Sequence, residues 1–98
     1  MEKFLEIYND ADDNYVLVSV NRISFVIKES GSLVDTWIYY NAENAFESKV
    51  QVKTAVTSSG YEVQNEIIDA IAKIASEDYT NSSLKLKLSL EVASISII

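Results

Sequence analysis

Residues Ser83–Ile98 read SLKLKLSLEVASISII, and their alternation decides the fold class. Leu84, Leu86, Leu88, Leu90 and Val92 alternate with Lys85, Lys87, Ser89 and Glu91. A period of two marks a β-strand with one buried face. At Val92–Ala93 the phase flips, and Ile95 and Ile97 carry the apolar positions onward. An apolar strand with unpaired backbone groups is a template for pairing, and chain ends fray unless tied down. This stretch is therefore expected to pair with its own sheet or with a second copy of the chain. Residues 84–92 read as a sheet strand lying under a helix. Residues 94–98 read as serving a different surface, with Ile95, Ile97 and Ile98 as its contact residues.

Upstream, the same period recurs. Phe4 to Tyr8 reads as a short first strand, followed by the polar tip Asn9-Asp10-Ala11-Asp12-Asp13-Asn14, suited to Asx-type turns. Val16, Val18 and Val20 form one alternating set, and Ile23, Phe25 and Ile27 form another. The phase breaks at Asn21-Arg22, so a bulge or tight turn is expected there. Glu29-Ser30-Gly31-Ser32 reads as a hairpin loop with Gly31 at positive φ. From Leu33 to Tyr40, Val34, Thr36, Ile38 and Tyr40 alternate with Leu33, Asp35, Trp37 and Tyr39. After a polar connection containing Phe46, Val50, Val52, Thr54 and Val56 alternate with Lys49, Gln51 and Lys53.

Then the period changes. Val63, Ile67, Ile71, Ile74 and Ala75 recur at helical spacing. Ser59 with Glu62 three residues later predicts a capping box, and the helix is expected to end near Ser76. The order is β-β-β-β-β-α-β. It predicts an α+β fold: a mainly antiparallel, curled sheet of five to six strands with one helix packed on it. Residues 1–98 read as one domain, without repeats or linkers. The sheet carries more apolar alternation than one helix can cover, so it is expected to curl into a partial barrel or to be covered by a neighbouring subunit.

Composition narrows the chemistry. The 98 residues contain no cysteine, histidine or proline. Thiolate catalysis and Cys- or His-ligated metals are excluded, and so is a histidine general base. No cofactor is expected. The net charge is −7, with eight Lys and Arg and no basic run. Phosphate-backbone binding needs a basic stripe, so no nucleic-acid partner is expected. No apolar run approaches the roughly 18 residues of a membrane-spanning helix, and no membrane partner is expected.

Four groups of residues bear on function. Asp10, Asp12 and Asn14 match the first oxygens of a calcium loop, but Tyr15 stands where the turn glycine belongs and Asn21 where the closing acid belongs. A solvated hairpin tip accounts for them. Thr57-Ser58-Ser59-Gly60 precedes a helix, yet lacks the glycines and Lys of a phosphate loop. Asp35, Glu43 and Glu47 show no spacing that singles out an acid/base pair. Trp37, Tyr39 and Tyr40, with Tyr8 and Tyr15 as cross-strand neighbours, form an aromatic cluster fit for core packing or a protein interface. Trp37 and Tyr39 are the expected interface residues.

The segments MEKFLEIYND…NYVLVSVNRISFVI, TWIYYN…VQVKTAVTSSG, VQNEIIDAIAKIA and SLKLKLSLEVASISII together resemble small capsid-associated proteins of marine tailed bacteriophages, of the auxiliary or decoration type. The resemblance covers most of the chain and lies in the pattern of strands, the late helix and the apolar ending. It implies a non-enzymatic structural protein of the virion, made in a bacterial host cytoplasm, that oligomerises with itself and binds a major capsid protein. The other reading of the same composition is a small acidic inhibitor, or DNA mimic, that occupies a basic cleft.

Overall fold

A computed structural model of the chain describes residues 3–21, 23–29, 34–40, 49–55, 61–76 and 79–97. Among these residues, seven strands and one helix follow the order β1 (Phe4–Asn9), β2 (Asn14–Ser19), β3 (Ile23–Lys28), β4 (Asp35–Tyr40), β5 (Lys49–Thr54), α1 (Glu62–Ile74), β6 (Ser83–Leu86) and β7 (Val92–Ile97). The class is α+β and the pairing mostly antiparallel. The strands form two sheets rather than one curled sheet: β2-β1-β6 and β3-β4-β5-β7. Among the described residues only the β1–β6 pair is parallel.

The inner faces of both sheets and one face of α1 share a single buried cluster. Leu5, Ile7 and Val18 come from the first sheet, Val26, Ile38, Val50, Val52 and Val92 from the second, and Val63, Ile67 and Ala70 from the helix. The two sheets thus cover each other, and the expected partial barrel is not needed to hide the apolar faces. Side-chain bonds tie the layers. The Tyr40 hydroxyl donates to the Ser19 carbonyl at 2.7 Å, and the Lys28 N–H donates to Gln64 Oε1 at 2.8 Å.

The final stretch departs most from its reading. Its alternation runs unbroken to Val92, yet residues 87–91 are not strand. The chain leaves the first sheet after Leu86 and enters the second at Val92. Leu88 and Val92 are buried, and Leu84, Leu86 and Leu90 pack on the same cluster. One core serves both sheets, so the apolar period survives the crossing while the strand does not. Acids pin the corner: Glu66 accepts from the Ser89 N–H and hydroxyl at 2.8 and 2.7 Å, and Asp10 accepts from the Val92 N–H at 2.9 Å. Carboxylate acceptors make such bonds shorter and stronger than neutral ones.

The phase flip at Val92–Ala93 is a β-bulge. Thr54 pairs with Val92 and Lys53 with Ser94, leaving Ala93 as the extra residue. The bulge returns Ile95 to the core side, opposite Val52. A second irregularity lies between Ile23 and Phe25, which pair with Tyr40 and Tyr39. It leaves Ile23 on the core and turns Phe25 and Ile27 outward, so those three residues do not share a face. The break expected at Asn21-Arg22 falls where the chain passes between sheets, because β2 and β3 belong to different ones.

The helix begins at Glu62 with Tyr61 at the N-cap and no side-chain cap bond. Glu62 is thus the first helical residue rather than the third, and the capping-box spacing fails. Its charge still suits the positive end of the helix. Lys3 Nζ donates to the carbonyls of Ile74 and Tyr79 at 2.8 and 3.1 Å, placing a cation at the negative end. Gly31, Phe46, Val56, Ser59 and the loop 57–60 lie outside the described residues.

Candidate interaction surface

The outer face of the second sheet follows from register. Phe25 and Ile27 of β3 stand beside Tyr39 and Trp37 of β4. Tyr39 in turn faces Lys49 of β5, and Trp37 faces Gln51. The period of two puts all of these on the face opposite Thr36, Ile38, Val50 and Val52, which are buried. Phe25 is 50% exposed and Ile27 46%. The Phe25 and Tyr39 rings stack with centroids 4.7 Å apart, and Trp37 lies 6.3 Å from Tyr39. Lys49 Nζ sits 4.7 Å from the Trp37 centroid and 5.8 Å from that of Tyr39. Asp35 closes one end of the patch, accepting from Gln51 Nε2 at 2.9 Å with Lys53 Nζ at 3.9 Å.

The expected aromatic cluster therefore divides. Trp37 and Tyr39 belong to this patch. Tyr8 and Tyr15 form a separate cross-strand pair on the first sheet, 5.1 Å between centroids, overlaid by Lys87 and Lys85. Tyr40 lies on the core side. Among the other expected contact residues, Ile95 packs on the core and Ile97, opposite Val50, is 66% exposed. Ile98 lies outside the described residues. Phe25 and Ile27 are the patch members that periodicity missed. The signal was present: Ile23, Phe25, Val26 and Ile27 make a run apolar at odd and even positions, which a strand with one wet face does not need.

The acids and Asn of the β1–β2 tip serve the fold. Asp10 holds the Val92 N–H, Asp12 accepts from Asn9, and Asn14 pairs with Asn9 across the hairpin. Asp13 takes φ of 51° at the tip and accepts from the Tyr8 hydroxyl. Among the described residues no group of three or more acids is placed to hold a metal ion. Glu43 and Glu47 lie outside the described residues. No described helix is long and apolar enough to cross a membrane.

Two phenols are shifted. Burial pushes Tyr40 up to about 12, and the hydrogen bond to Asp13 pushes Tyr8 up to about 12. A raised folded value favours the neutral phenol in the native state. Below the ordinary value of 10.0 neither group contributes any slope. As pH rises from there towards 12, the unfolded chain releases protons first and stability falls. Denaturation midpoints across that range should drop in the native chain and drop less steeply in Tyr40→Phe.

No family model, curated protein or solved structure matches this chain.

Proposed function

We propose that this chain is a non-enzymatic interaction protein that works through the outer face of the β3-β4-β5-β7 sheet. The observation that carries the reading is the contiguous patch of Phe25, Ile27, Trp37 and Tyr39, half of it exposed. Contiguous apolar surface is costly in water and marks interaction sites. Aromatic residues with a charged rim match the composition of interface cores. The proposed partners are further copies of the chain and a major capsid protein. The capsid setting, as an auxiliary or decoration protein of a phage virion, rests on the sequence resemblance. The mechanism is reinforcement of a lattice by surface burial, without chemistry on a substrate.

The acidic-inhibitor reading has less support. A phosphate mimic needs carboxylates free to face a basic cleft. Asp10, Asp13, Asp35 and Glu66 are engaged within the fold.

Sedimentation over a range of concentrations tests the proposal, together with co-sedimentation with phage shells assembled from a major capsid protein. Self-association and shell binding are expected. A chain that stays monomeric throughout, and leaves the shells bare, would overturn the reading.

A further inference from the structure

The described sheets end in edge strands, β2 and β6 in one and β3 and β7 in the other. An edge strand offers the backbone groups of alternate residues to whatever lies beside it. The edges of β2, β3 and β6 are each met by a side chain of the same molecule. The Val20 N–H donates to the Lys3 carbonyl at 3.0 Å, so Ser19 points away from β1, and its carbonyl accepts from the Tyr40 hydroxyl. The Glu29 N–H donates to the Asp35 carbonyl at 3.0 Å, so Lys28 points away from β4, and Gln64 takes its N–H. The Phe4 N–H donates to the Ser82 carbonyl at 2.8 Å, so Ser83 points away from β1, and its carbonyl accepts from the Tyr79 hydroxyl.

β7 is met only at its start. The Thr54 N–H donates to the Val34 carbonyl at 2.9 Å, so alternate residues of β5 bond β4, and Gln51 and Lys53 bond β7. Their opposites are Ser96 and Ser94. Ile95 and Ile97 therefore aim their N–H and C=O groups away from the sheet. Asp10 takes the Val92 N–H, and the bulge at Ala93 follows. Among the described residues nothing takes the outward backbone groups of Ile95 and Ile97. The Ile97 side chain stands opposite Val50, on the core side, and is 66% exposed.

We propose that residues 94–97 of β7 pair antiparallel with the same residues of a second copy. A two-fold axis through Ser96 sets Ile95 of each copy opposite Ile97 of the other. Those are the residues whose backbone groups face outward, so each such pair can exchange both of its bonds. The axis stands normal to the sheet and keeps the core sides together. Ile97 is then covered by an isoleucine, and serine meets serine on the outer face. The strand reads Val-Ala-Ser-Ile-Ser-Ile, without a charge, so self-pairing sets no like charges opposite one another. β6 lacks that property, because it carries Lys85. Bonds from so few residues do not repay the freedom lost when two free molecules join. The edge pair therefore forms between copies already gathered by the sheet face, whose joined edges bind with the gain of multivalency. In this the inference rests on the sheet-face reading and adds a second contact to it.

The test is sedimentation of the full chain over a range of concentrations, beside Ile97→Pro and Ile97→Lys. Proline removes the outward N–H and leaves the ladder to β5 intact, a position where an edge strand accepts it. Lysine keeps the N–H and puts a charge where an isoleucine should lie. Residue 97 is exposed, so both variants should melt close to the native chain. The native chain is expected to assemble beyond the species at which both variants stop, and Phe25→Asp to stay monomeric. Amide exchange at Ile95 and Ile97 should slow about tenfold as native concentration rises, and should not slow in Phe25→Asp. Variants that assemble to the native size, or native assembly without protection of Ile95 and Ile97, would overturn the edge pairing and leave the sheet face standing. A native chain that stays monomeric overturns both. A Phe25→Asp chain that still pairs, and loses the pair on adding Ile97→Pro, would sink the sheet-face reading and support the edge.

Discussion

A chain lacking residues 94–98 is expected to lose most of its stability, and with it any surface it presents. Four of the five register pairs joining β7 to β5 involve residues 94–97. Their removal turns β5 into an edge and bares Val50 and Val52, now 2% and 0% exposed. Ile95 packs on the core, and losing such a side chain costs about 2–5 kcal/mol where burial is full, less where it is partial. Each lost ladder bond adds a net cost of about 0.5–1.5 kcal/mol. The sum reaches several kcal/mol against a total of about 5–15 for a native domain. At about 4–8 °C per kcal/mol for a chain of this size, the thermal midpoint should fall by tens of degrees or the cooperative transition should vanish. Far-ultraviolet circular dichroism on heating reads this directly. A paired comparison locates the cause. Ile95→Asp should destabilise strongly, because an unpaired charge would point at the core. Ser94→Asp, on the opposite face next to Lys53, should not. Equal effects would mean that the bulge at Ala93 does not hold Ile95 inward. Truncation is thus a poor probe of oligomerisation, since loss of assembly would follow from loss of the fold.

What was legible in the sequence was the direction of side chains; what was not was the partner of each strand. Val50, Val52 and Thr54 face inward with Lys49 and Lys53 outward, as their alternation states. The helix stripe of Val63, Ile67 and Ile74 is buried. Periodicity encodes only which face is dry. Leu84 to Val92 could therefore be read as one strand, although it serves two sheets across one core. The break depends on Glu66 and Asp10, more than 20 and 80 residues from the groups they hold, and no local pattern reports a bond of that span. The bulges behaved differently. The flip at Val92–Ala93 was visible as a change of phase, but a change of phase has two meanings: a new face, or one extra residue that restores the old face. The ladder with β5 selects the second. At β3 the same ambiguity hid Phe25 and Ile27 among residues assigned to the face of Ile23. Half of the candidate patch, Trp37 and Tyr39, came from residue type on a well-phased strand. The other half came from a strand whose phase the bulge had disguised.

Phe25→Asp is expected to abolish self-association while leaving the chain folded. Phe25 is half exposed and outside the core, so its replacement forfeits the stacking with Tyr39, about 0.5–1.5 kcal/mol. That lowers the melting midpoint by only several degrees. At an interface the same change is far more costly, because it places an unpaired carboxylate in a desolvated aromatic patch. Anchors of this kind cost about 2 kcal/mol or more on truncation, roughly thirtyfold in the dissociation constant. Trp37→Ala should act in the same direction, and it also frees Lys49 from its ring. The control lies on the other sheet. Leu17 of β2 is 52% exposed and faces Glu6 across the β1–β2 ladder, so Leu17→Asp carries a comparable change of polarity away from the patch. Sedimentation of the three variants beside the native chain distinguishes the faces. Loss of association in Phe25→Asp and Trp37→Ala, with Leu17→Asp unchanged, assigns the contact to the β3–β4 face. The reverse pattern would move it to the Tyr8–Tyr15 face, where Lys85 and Lys87 now cover the rings.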